Sequence, residues 1–282
     1  MNQSGALFVI ATPLGNLEDF SARAKKSLES ADLVLAEDTR RTLKLLSHLK
    51  IKKPMQSFNE HNQSEKIPGL IEKLLKGQKL ALATDAGTPA LSDPGAKLVA
   101  ACHEKGIKVV PVPGPSAITA SLSVSGLSAD RFLFLGFLPA KSGERKKLLQ
   151  KYRDFPETIL IFEAPHRVVT TIRDLLEIFG DRKACLCREL TKVFEEVRMT
   201  SLPELLADLE KSAPKGEISL VIEGATINAI NFNQLEDDIE ELVGGMVREG
   251  KSIKDIVQAL GSQTGMPKNL IYKKALEIKN KS

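Results

Sequence analysis

A loop of thirteen residues constrains the fold of this chain most. Residues 83–95 read Ala-Thr-Asp-Ala-Gly-Thr-Pro-Ala-Leu-Ser-Asp-Pro-Gly. They follow an apolar run at 79–83 that is typical of a buried strand, and they precede residues 96–104, whose apolar side chains have helical spacing. Because ligands of open α/β sheets bind beyond the carboxyl ends of strands, this loop is a candidate binding element. The alternative is an ordinary turn in which Ser92 or Asp93 caps the next helix.

The first half of the chain repeats this strand–loop–helix unit about five times. The strands are predicted at 7–10, 33–36, 55–58, 79–83 and 107–112. Apolar, β-branched runs of this kind are typical of buried parallel strands. We therefore expect an N-terminal α/β domain over residues 1–117 with a parallel sheet.

The first loop lacks the phosphate-binding signatures of nucleotide folds. It contains one glycine, Gly15, and has Pro13 where a phosphate cradle needs a free N–H. The sequence also contains no G-x-x-x-x-G-K-[ST] motif. This pattern favours a nucleoside-like ligand without phosphate, such as S-adenosylmethionine.

The second half changes character, because strands outnumber helices there. Strands are predicted at 131–137, 158–162, 184–188, 194–199 and 217–222. This order favours a mixed, partly antiparallel sheet in a second α/β domain over residues 118–227. Residues 228–282 then form a linker (228–234) and a Lys-rich tail whose two helices, 252–260 and 268–278, are typical of helix–turn–helix.

Two polar clusters follow strands of the first half. Glu37, Asp38, Arg40 and Arg41 come directly after the strand at 33–36. Acids are favourable in the first turn of a helix, but arginines there oppose its dipole, so a functional role is favoured. The second cluster, at 58–62, contains His61, which is either a general base or a structural hydrogen-bond donor.

A basic run lies at 141–153, with six Lys or Arg residues against one acid. Such a run is usually a solvated helix face. Its density also suits a polyanion such as RNA, with Arg145, Lys146 and Lys147 at its centre.

Composition excludes several classes of protein. The three cysteines make no disulfide framework, and Cys185 and Cys187 are predicted core residues on one face of a strand. The four histidines show no metal-ligand spacing, so no metal site is predicted. With no Trp and two Tyr, an aromatic base-stacking platform is not expected. No signal peptide or long apolar run is visible, and we expect a soluble cytoplasmic protein.

Seven stretches together resemble one enzyme family. They are 11–19 (Ala-Thr-Pro-Leu-Gly-Asn-Leu-Glu-Asp), 36–42, 58–62, 84–95, 113–117, 163–167 and 215–223. In this order they are similar to the bacterial 16S ribosomal RNA (cytidine-2′-O)-methyltransferases of the tetrapyrrole-methylase-like class, class III of S-adenosylmethionine-dependent methyltransferases. The likeness covers about residues 5–225, and the C-terminal helices also resemble that family's tail domain. Gly-Thr-Pro at 87–89 stands where tetrapyrrole methylases usually carry Gly-Asp-Pro, which favours the RNA branch.

The resemblance implies two α/β domains with S-adenosylmethionine in the cleft between them, and a small helical tail. It also implies which residues line the cofactor: Pro13, Gly87, Thr88, Leu91, Ser116 and Ala117 from the first domain, and Phe162, Glu217 and Ile218 from the second.

The implied reaction is methyl transfer to a ribose 2′-oxygen of a cytidine in the decoding centre. A carboxylate or imidazole within hydrogen-bond reach would help to remove the hydroxyl proton. Four residues are candidates for this base: Glu37, Asp38, His61 and Glu163. Arg40, Arg41, His166 and Arg167 are candidates for holding phosphates. The resemblance also implies a 16S rRNA substrate within the small ribosomal subunit, and a homodimer.

Two other readings stay open. The first is a methyltransferase of the same class that acts on a tetrapyrrole or on a protein side chain, because porphyrin precursors are polycarboxylates that a basic patch can bind. The second is a non-catalytic protein that binds RNA or a nucleoside. The Lys-rich tail favours RNA, and the charged clusters at strand ends favour catalysis.

Overall fold

The computed structural model describes residues 5–212, 214–225, 242–247, 249, 251–264 and 268–281. Contacts divide the chain into two compact units, residues 1–225 and 226–282. Both α/β sheets lie in the first unit. The predicted boundaries at residues 117 and 227 are not tested by this division and stay predictions.

The first sheet consists of five parallel strands in the order β3-β2-β4-β1-β5. In chain order its elements are β1 (Ala6–Ile10), a 3₁₀ turn (Leu17–Asp19), α1 (Ala22–Ser30), β2 (Leu33–Ala36), α2 (Thr39–His48), β3 (Met55–Ser57), α3 (Gln63–Leu75), β4 (Lys79–Ala83), α4 (Ala96–Glu104) and β5 (Lys108–Val112). The parallel sheet and the strand–helix alternation predicted from the sequence are confirmed.

Side chains alternate across this sheet and bury both of its faces. On β4, Leu80 and Leu82 pack with α3 and α4, whereas Ala81 and Ala83 pack with α1 and α2. Helices on both faces explain why these strands are continuous apolar runs rather than alternating ones.

The second sheet is mixed, with the order β6-β7-β10-β8-β9. Its elements are α5 (Ala117–Ser125), β6 (Phe132–Phe137), α6 (Ser142–Gln150), β7 (Thr158–Glu163), α7 (Val168–Phe179), β8 (Lys183–Arg188), β9 (Glu196–Ser201), α8 (Leu202–Lys211) and β10 (Ile218–Ile222). Strands β6 and β7 are parallel, and the other neighbours are antiparallel. Helices α6, α7 and α8 cover one face. Helix α5 covers the other, where Cys185 and Cys187 are buried as predicted.

One predicted strand was displaced by two residues, whereas the bounds of the other strands agree with the prediction to within one residue. The strand predicted at 194–199 is displaced to Glu196–Ser201, and Phe194 lies in the preceding loop with 73% of its surface exposed.

The second unit contains helices only, among its described residues. Residues 242–247 form α9, and α10 (Ile253–Thr264) and α11 (Lys268–Lys281) follow. Val243, Ile256, Leu260, Ile271 and Ala275 form their shared core. The predicted linker at 228–234 lies outside the described residues. Among the helices that the structure describes, none is both long and apolar enough to cross a membrane.

Candidate active site

A cleft of about 390 Å³ opens where loops of the first sheet meet strand ends of the second. The first sheet contributes residues that follow β1, β2 and β4. The beginning of α5, which links the two sheets, also lines the cleft. The second sheet contributes the ends of β6 and β7 and the beginning of β10. Its lining includes Leu14, Glu37, Arg41, Asp85–Thr88, Leu91–Asp93, Ser116–Ile118, Phe137, Phe162–Pro165, Cys187, Leu190 and Gly216–Ser219.

Hydrogen bonds between neighbouring loops fix the wall on the first sheet. Thr12 and Gly87 exchange two backbone hydrogen bonds, at 2.9 and 3.0 Å, and the Thr12 hydroxyl donates to the Thr84 carbonyl at 3.0 Å. The Thr88 hydroxyl donates to the Pro115 carbonyl at 3.2 Å. The loops after β1, β4 and β5 are therefore tied into one surface.

The loop at 83–95 contains backbone conformations that L-residues rarely adopt. Ala90 and Ser92 have φ of 69° and 63°, and Gly95 has φ of 134°. Strain of this kind concentrates at binding sites, where the surrounding structure holds it in place. The positive φ angles of Gly87 and Gly95 explain why glycine stands at these two positions. The N-cap of α4 is Gly95, with no side-chain cap hydrogen bond, so the alternative in which Ser92 or Asp93 caps this helix was wrong.

The lining contains more acids than cations, and two of the acids pair with cations behind it, Glu163 with Arg167 and Glu217 with Lys192. Five carboxylates, those of Glu37, Asp85, Asp93, Glu163 and Glu217, face one cation, Arg41, among the described lining residues. Such a lining suits a cationic ligand and disfavours a phosphate.

Burial changes the titration of three of these acids. It raises the pKa of Glu37 and of Asp85 above their usual values. It raises the pKa of Asp93 to about 7, with a further contribution from the negative charge of Glu37. A carboxyl group that titrates near neutral pH is suited to accept a proton.

Comparisons with known proteins identify the fold family. The profile of the Tetrapyrrole (Corrin/Porphyrin) Methylases matches residues 6–206, more than half of the chain. The chain belongs to the tetrapyrrole methylase family.

Several relatives of this tetrapyrrole methylase share one name. The Ribosomal RNA small subunit methyltransferase I of Synechocystis sp. is 42% identical, over 97% of this chain and 98% of the relative. The protein of the same name from Pseudomonas aeruginosa is 40% identical, over 99% of each chain. The one from Thermotoga maritima is 46% identical, over 78% of this chain and 99% of the relative.

Solved structures support the same fold. Diphthine synthase superposes with a TM-score of 0.59 at 17% identity, and covers 82% of this chain and 94% of its own. A cobalt precorrin-4 methyltransferase superposes with a TM-score of 0.57 at 16% identity, and covers 77% and 94%. At this identity the likeness concerns the tetrapyrrole methylase fold alone.

The cleft of this tetrapyrrole methylase brings together most of the predicted cofactor residues. Gly87, Thr88, Leu91, Ser116, Ala117, Phe162, Glu217 and Ile218 line it. Pro13 does not; it lines a second cavity next to the cleft. The cofactor assignment of Pro13 therefore has no support in the geometry of the cleft.

Two of the four candidate bases lie away from both cavities. Asp38 caps α2 and binds the Arg40 side chain at 2.7 Å, and the hydrogen bonds from Arg40 lower its pKa to about 2. His61 is exposed in the turn before α3, beyond the edge strand β3. These placements argue against either residue as the base.

Glu163 lies in the wall of the cleft, but its carboxylate is occupied. It is buried, and it accepts hydrogen bonds from the Thr171 hydroxyl at 2.6 Å and from the Ala164 N–H at 2.8 Å. Arg167 pairs with it at 3.2 Å and also donates to the Leu138 carbonyl at 2.6 Å. These contacts give both residues a structural role at the junction of β6 and β7, and they disfavour Arg167 as a phosphate ligand.

The predicted basic patch needs a correction. The Arg145 side chain is 3% exposed and donates to Asp174 at 2.7 Å, so it cannot reach RNA at the surface. Lys146 pairs with Glu177 at 2.6 Å. Lys147 and His166 are exposed, as are Arg40 and Arg41. The helical spacing of the run did not show which of its side chains the neighbouring α7 would cover.

Sequence reasoning missed several lining residues. Asp85 and Asp93 stand inside the motif at 84–95, but nothing in the motif showed that their carboxylates face the cleft. Cys187 and Leu190 line the cleft from the far sheet, and only tertiary contacts reveal them.

Proposed function

We propose that this chain transfers a methyl group from S-adenosylmethionine to the ribose 2′-oxygen of a cytidine in the decoding centre of 16S ribosomal RNA. The observation that carries the proposal is the near full-length identity of about 40% to enzymes named Ribosomal RNA small subunit methyltransferase I. The acidic cleft supports it, because its lining suits a cationic nucleoside.

S-adenosylmethionine fits the residues of the cleft. Its sulfonium and ammonium are cations, and Glu37, Asp85 and Asp93 provide negative charge. It carries no phosphate, and the first loop offers no phosphate cradle. Gly87, Ser116 and Ala117 leave room for an adenosine to approach the backbone. When bound, the group supplies an electrophilic methyl carbon.

Glu37 is the strongest of the predicted bases. It is half-buried in the lining of the cleft, and its raised pKa makes it a better proton acceptor than Asp38. We assign Glu37 the task of taking the proton of the 2′-hydroxyl. Positioning of the reacting atoms at ~3–3.5 Å would supply most of the remaining acceleration.

The expected partners follow from this function. Exposed cations near the cleft, Arg40 and Arg41, would hold RNA phosphates.

A homodimer remains part of the proposal. The exposed Val193, Phe194 and Met199 on β9 and its loop offer an apolar surface for a second copy. A ribosomal substrate would place the enzyme in the cytoplasm.

The test is methylation of small ribosomal subunits from cells that lack this activity, with methyl-labelled S-adenosylmethionine. Alkaline hydrolysis cannot cut next to a 2′-O-methylated ribose. An alkali-resistant labelled dinucleotide containing cytidine is the expected product. Label on a base would contradict the 2′-O assignment.

A matched pair of variants tests whether the cofactor binds in the cleft. Ala117 and Ala22 are both the first residue of a helix, but only Ala117 lines the cleft. Ala117→Phe should weaken cofactor binding at least tenfold in calorimetry, and Ala22→Phe should not, because a phenyl ring at residue 117 occupies the ligand's space.

The rival functions give different results. If the cofactor binds but no RNA is labelled, a tetrapyrrole or protein-side-chain substrate replaces the proposal. If no substrate of either kind is labelled, a non-catalytic RNA- or nucleoside-binding protein replaces it.

A further inference from the structure

A second cavity of about 220 Å³ adjoins the cleft. It lies between the first loop and α2, at the carboxyl ends of β1, β2 and β4. Leu14, Arg41 and Asp85 line both spaces, so the two cavities share a wall. A molecule in the second cavity would therefore lie beside a ligand of the cleft.

The two cavities differ in charge. Five acids and one cation line the cleft, whereas Arg41 and Lys44 face a single acid, Asp85, in the second cavity. Arg41 and Lys44 stand three residues apart on α2 and so share one face of the helix. The Lys44 side chain is exposed, and Arg41 is 61% exposed even though it lies 3.4 Å from Asp85. This face of α2 offers cations to an anion arriving from solvent.

The remaining walls are apolar on one side and polar at the floor. Pro13, Leu14, Leu17 and Leu45 provide the apolar side, and Leu17 is 41% exposed at the mouth. Thr12, Thr42, Thr84 and Asp85 provide the polar groups. Cations at the rim, an apolar wall and oxygen groups at the floor match the phosphate, base and ribose of one nucleotide, respectively.

We infer that this cavity receives the target nucleotide of the RNA, unstacked from its neighbours. Its phosphate lies against Arg41 and Lys44, its base against Leu14 and Leu17, and its ribose towards Asp85 at the wall shared with the cleft. The inference rests on the proposed function and names the part of the site that takes the substrate. Enzymes that modify one nucleotide commonly draw it out of its stack into such a pocket.

The test compares two variants with matched controls on the full chain. Lys44→Ala removes a cation of the cavity, and Lys26→Ala removes an exposed lysine of α1. Leu17→Asp places a negative charge at the mouth, and Leu75→Asp places one on an exposed leucine of α3. Each protein is assayed for its KM for small ribosomal subunits at several salt concentrations, for cofactor affinity by calorimetry, and for Tm.

The cavity variants should raise the KM for subunits about five- to tenfold while the cofactor affinity changes less than about twofold. Lys44→Ala should also reduce the slope of log affinity against log salt by about one, as expected for one lost phosphate contact. Lys44→Arg should restore both values. Lys26→Ala and Leu75→Asp should match the unchanged chain.

Three results would overturn the inference. If the unchanged chain methylates subunits and the cavity variants match their controls, the function stands and the nucleotide binds elsewhere. If the cofactor affinity falls by the same factor as the KM for subunits rises, the second cavity belongs to the cofactor site. If the unchanged chain methylates no RNA, the proposed function fails, and the nucleotide pocket fails with it.

Discussion

Glu37 and Asp85 are joined across two neighbouring strands by a hydrogen bond from the Asp85 N–H to the Glu37 carboxylate, at 3.2 Å. The Asp85 carboxylate in turn accepts the N–H of Asp38, at 3.1 Å. Each loop thus holds the other through a carboxylate and a backbone amide. Because β2 and β4 are adjacent and parallel, their ends meet at this edge, and the two half-buried acids lie side by side.

Glu37→Gln tests the proton acceptor. The amide oxygen of Gln can still accept the Asp85 N–H, so the loops should keep their positions. The variant should lose about 10²-fold in the single-turnover rate of methyl transfer because it cannot take a proton. Cofactor affinity should change much less.

Glu65→Gln, an exposed residue in the first turn of α3, is the matched control and should keep the full rate. If Glu37→Gln methylates as fast as the control, the base is another group. Asp85 and Asp93 would then be the next residues to replace.

Asp93 should make stability depend on pH. Its pKa is about 7 in the folded chain and 3.8 in the unfolded one, so the folded state holds the proton more tightly. The free energy of unfolding should therefore fall as pH rises from about 4 to about 7. Full linkage would amount to about 4 kcal/mol, which exposure in the cleft reduces to about 1–2 kcal/mol.

Asp93→Asn removes this titration. Urea unfolding at several pH values gives the free energy of unfolding of both proteins. The free energy of the variant should rise relative to that of the unchanged chain between pH 4 and 7, and the difference between them should stay constant above pH 7. A difference that stays constant from pH 4 to pH 8 would show that Asp93 titrates normally.

Cofactor affinity should rise with pH, whereas the free energy of unfolding falls. A bound cation favours the ionised form of Asp93, so binding should tighten as pH rises through about 7. Calorimetry on the unchanged chain should show this rise, and Asp93→Asn should flatten it.

The sequence predicted the backbone of the site better than its charges. Apolar runs and Gly- and Pro-rich loops depend on neighbours in the chain, so β2, β4 and α4 have the predicted bounds. Which side chain faces the cleft depends on tertiary packing. Asp38 and Glu37 are adjacent, yet one caps a helix and the other lines the cleft.

The same limit explains the error at Arg145. Six cations in a helical run predict a charged, solvated face. Only the position of α7 shows that Arg145 is buried in a hydrogen bond with Asp174. The orientation of the loop at 83–95 is a further example. It has positive φ angles at Ala90 and Ser92, two residue types that do not by themselves predict such a conformation.

Arg145→Ala tests the structural role of this arginine. The substitution leaves the buried Asp174 without its closest cation, and it should destabilise the fold by about 3 kcal/mol. Arg173→Ala removes an exposed pair with Glu210 and should cost less than about 1 kcal/mol. Urea unfolding measures both. If Arg145→Ala lost RNA affinity without losing stability, Arg145 would be an RNA-binding residue after all.

Gly95 and Gly69 offer a matched test of the strained loop. A Cβ at Gly95, where φ is 134°, would lie 2.6 Å from Leu82 Cδ2, while a Cβ at Gly69 meets nothing within 4 Å. Gly95→Ala should therefore destabilise the fold by about 1–3 kcal/mol, whereas Gly69→Ala, inside α3, should stabilise it by up to about 1 kcal/mol. Because the loop lines the cleft, Gly95→Ala should also weaken cofactor binding in calorimetry, and Gly69→Ala should not. If the two substitutions changed stability and cofactor affinity equally, the backbone at Gly95 would relax freely, and the loop would not be strained.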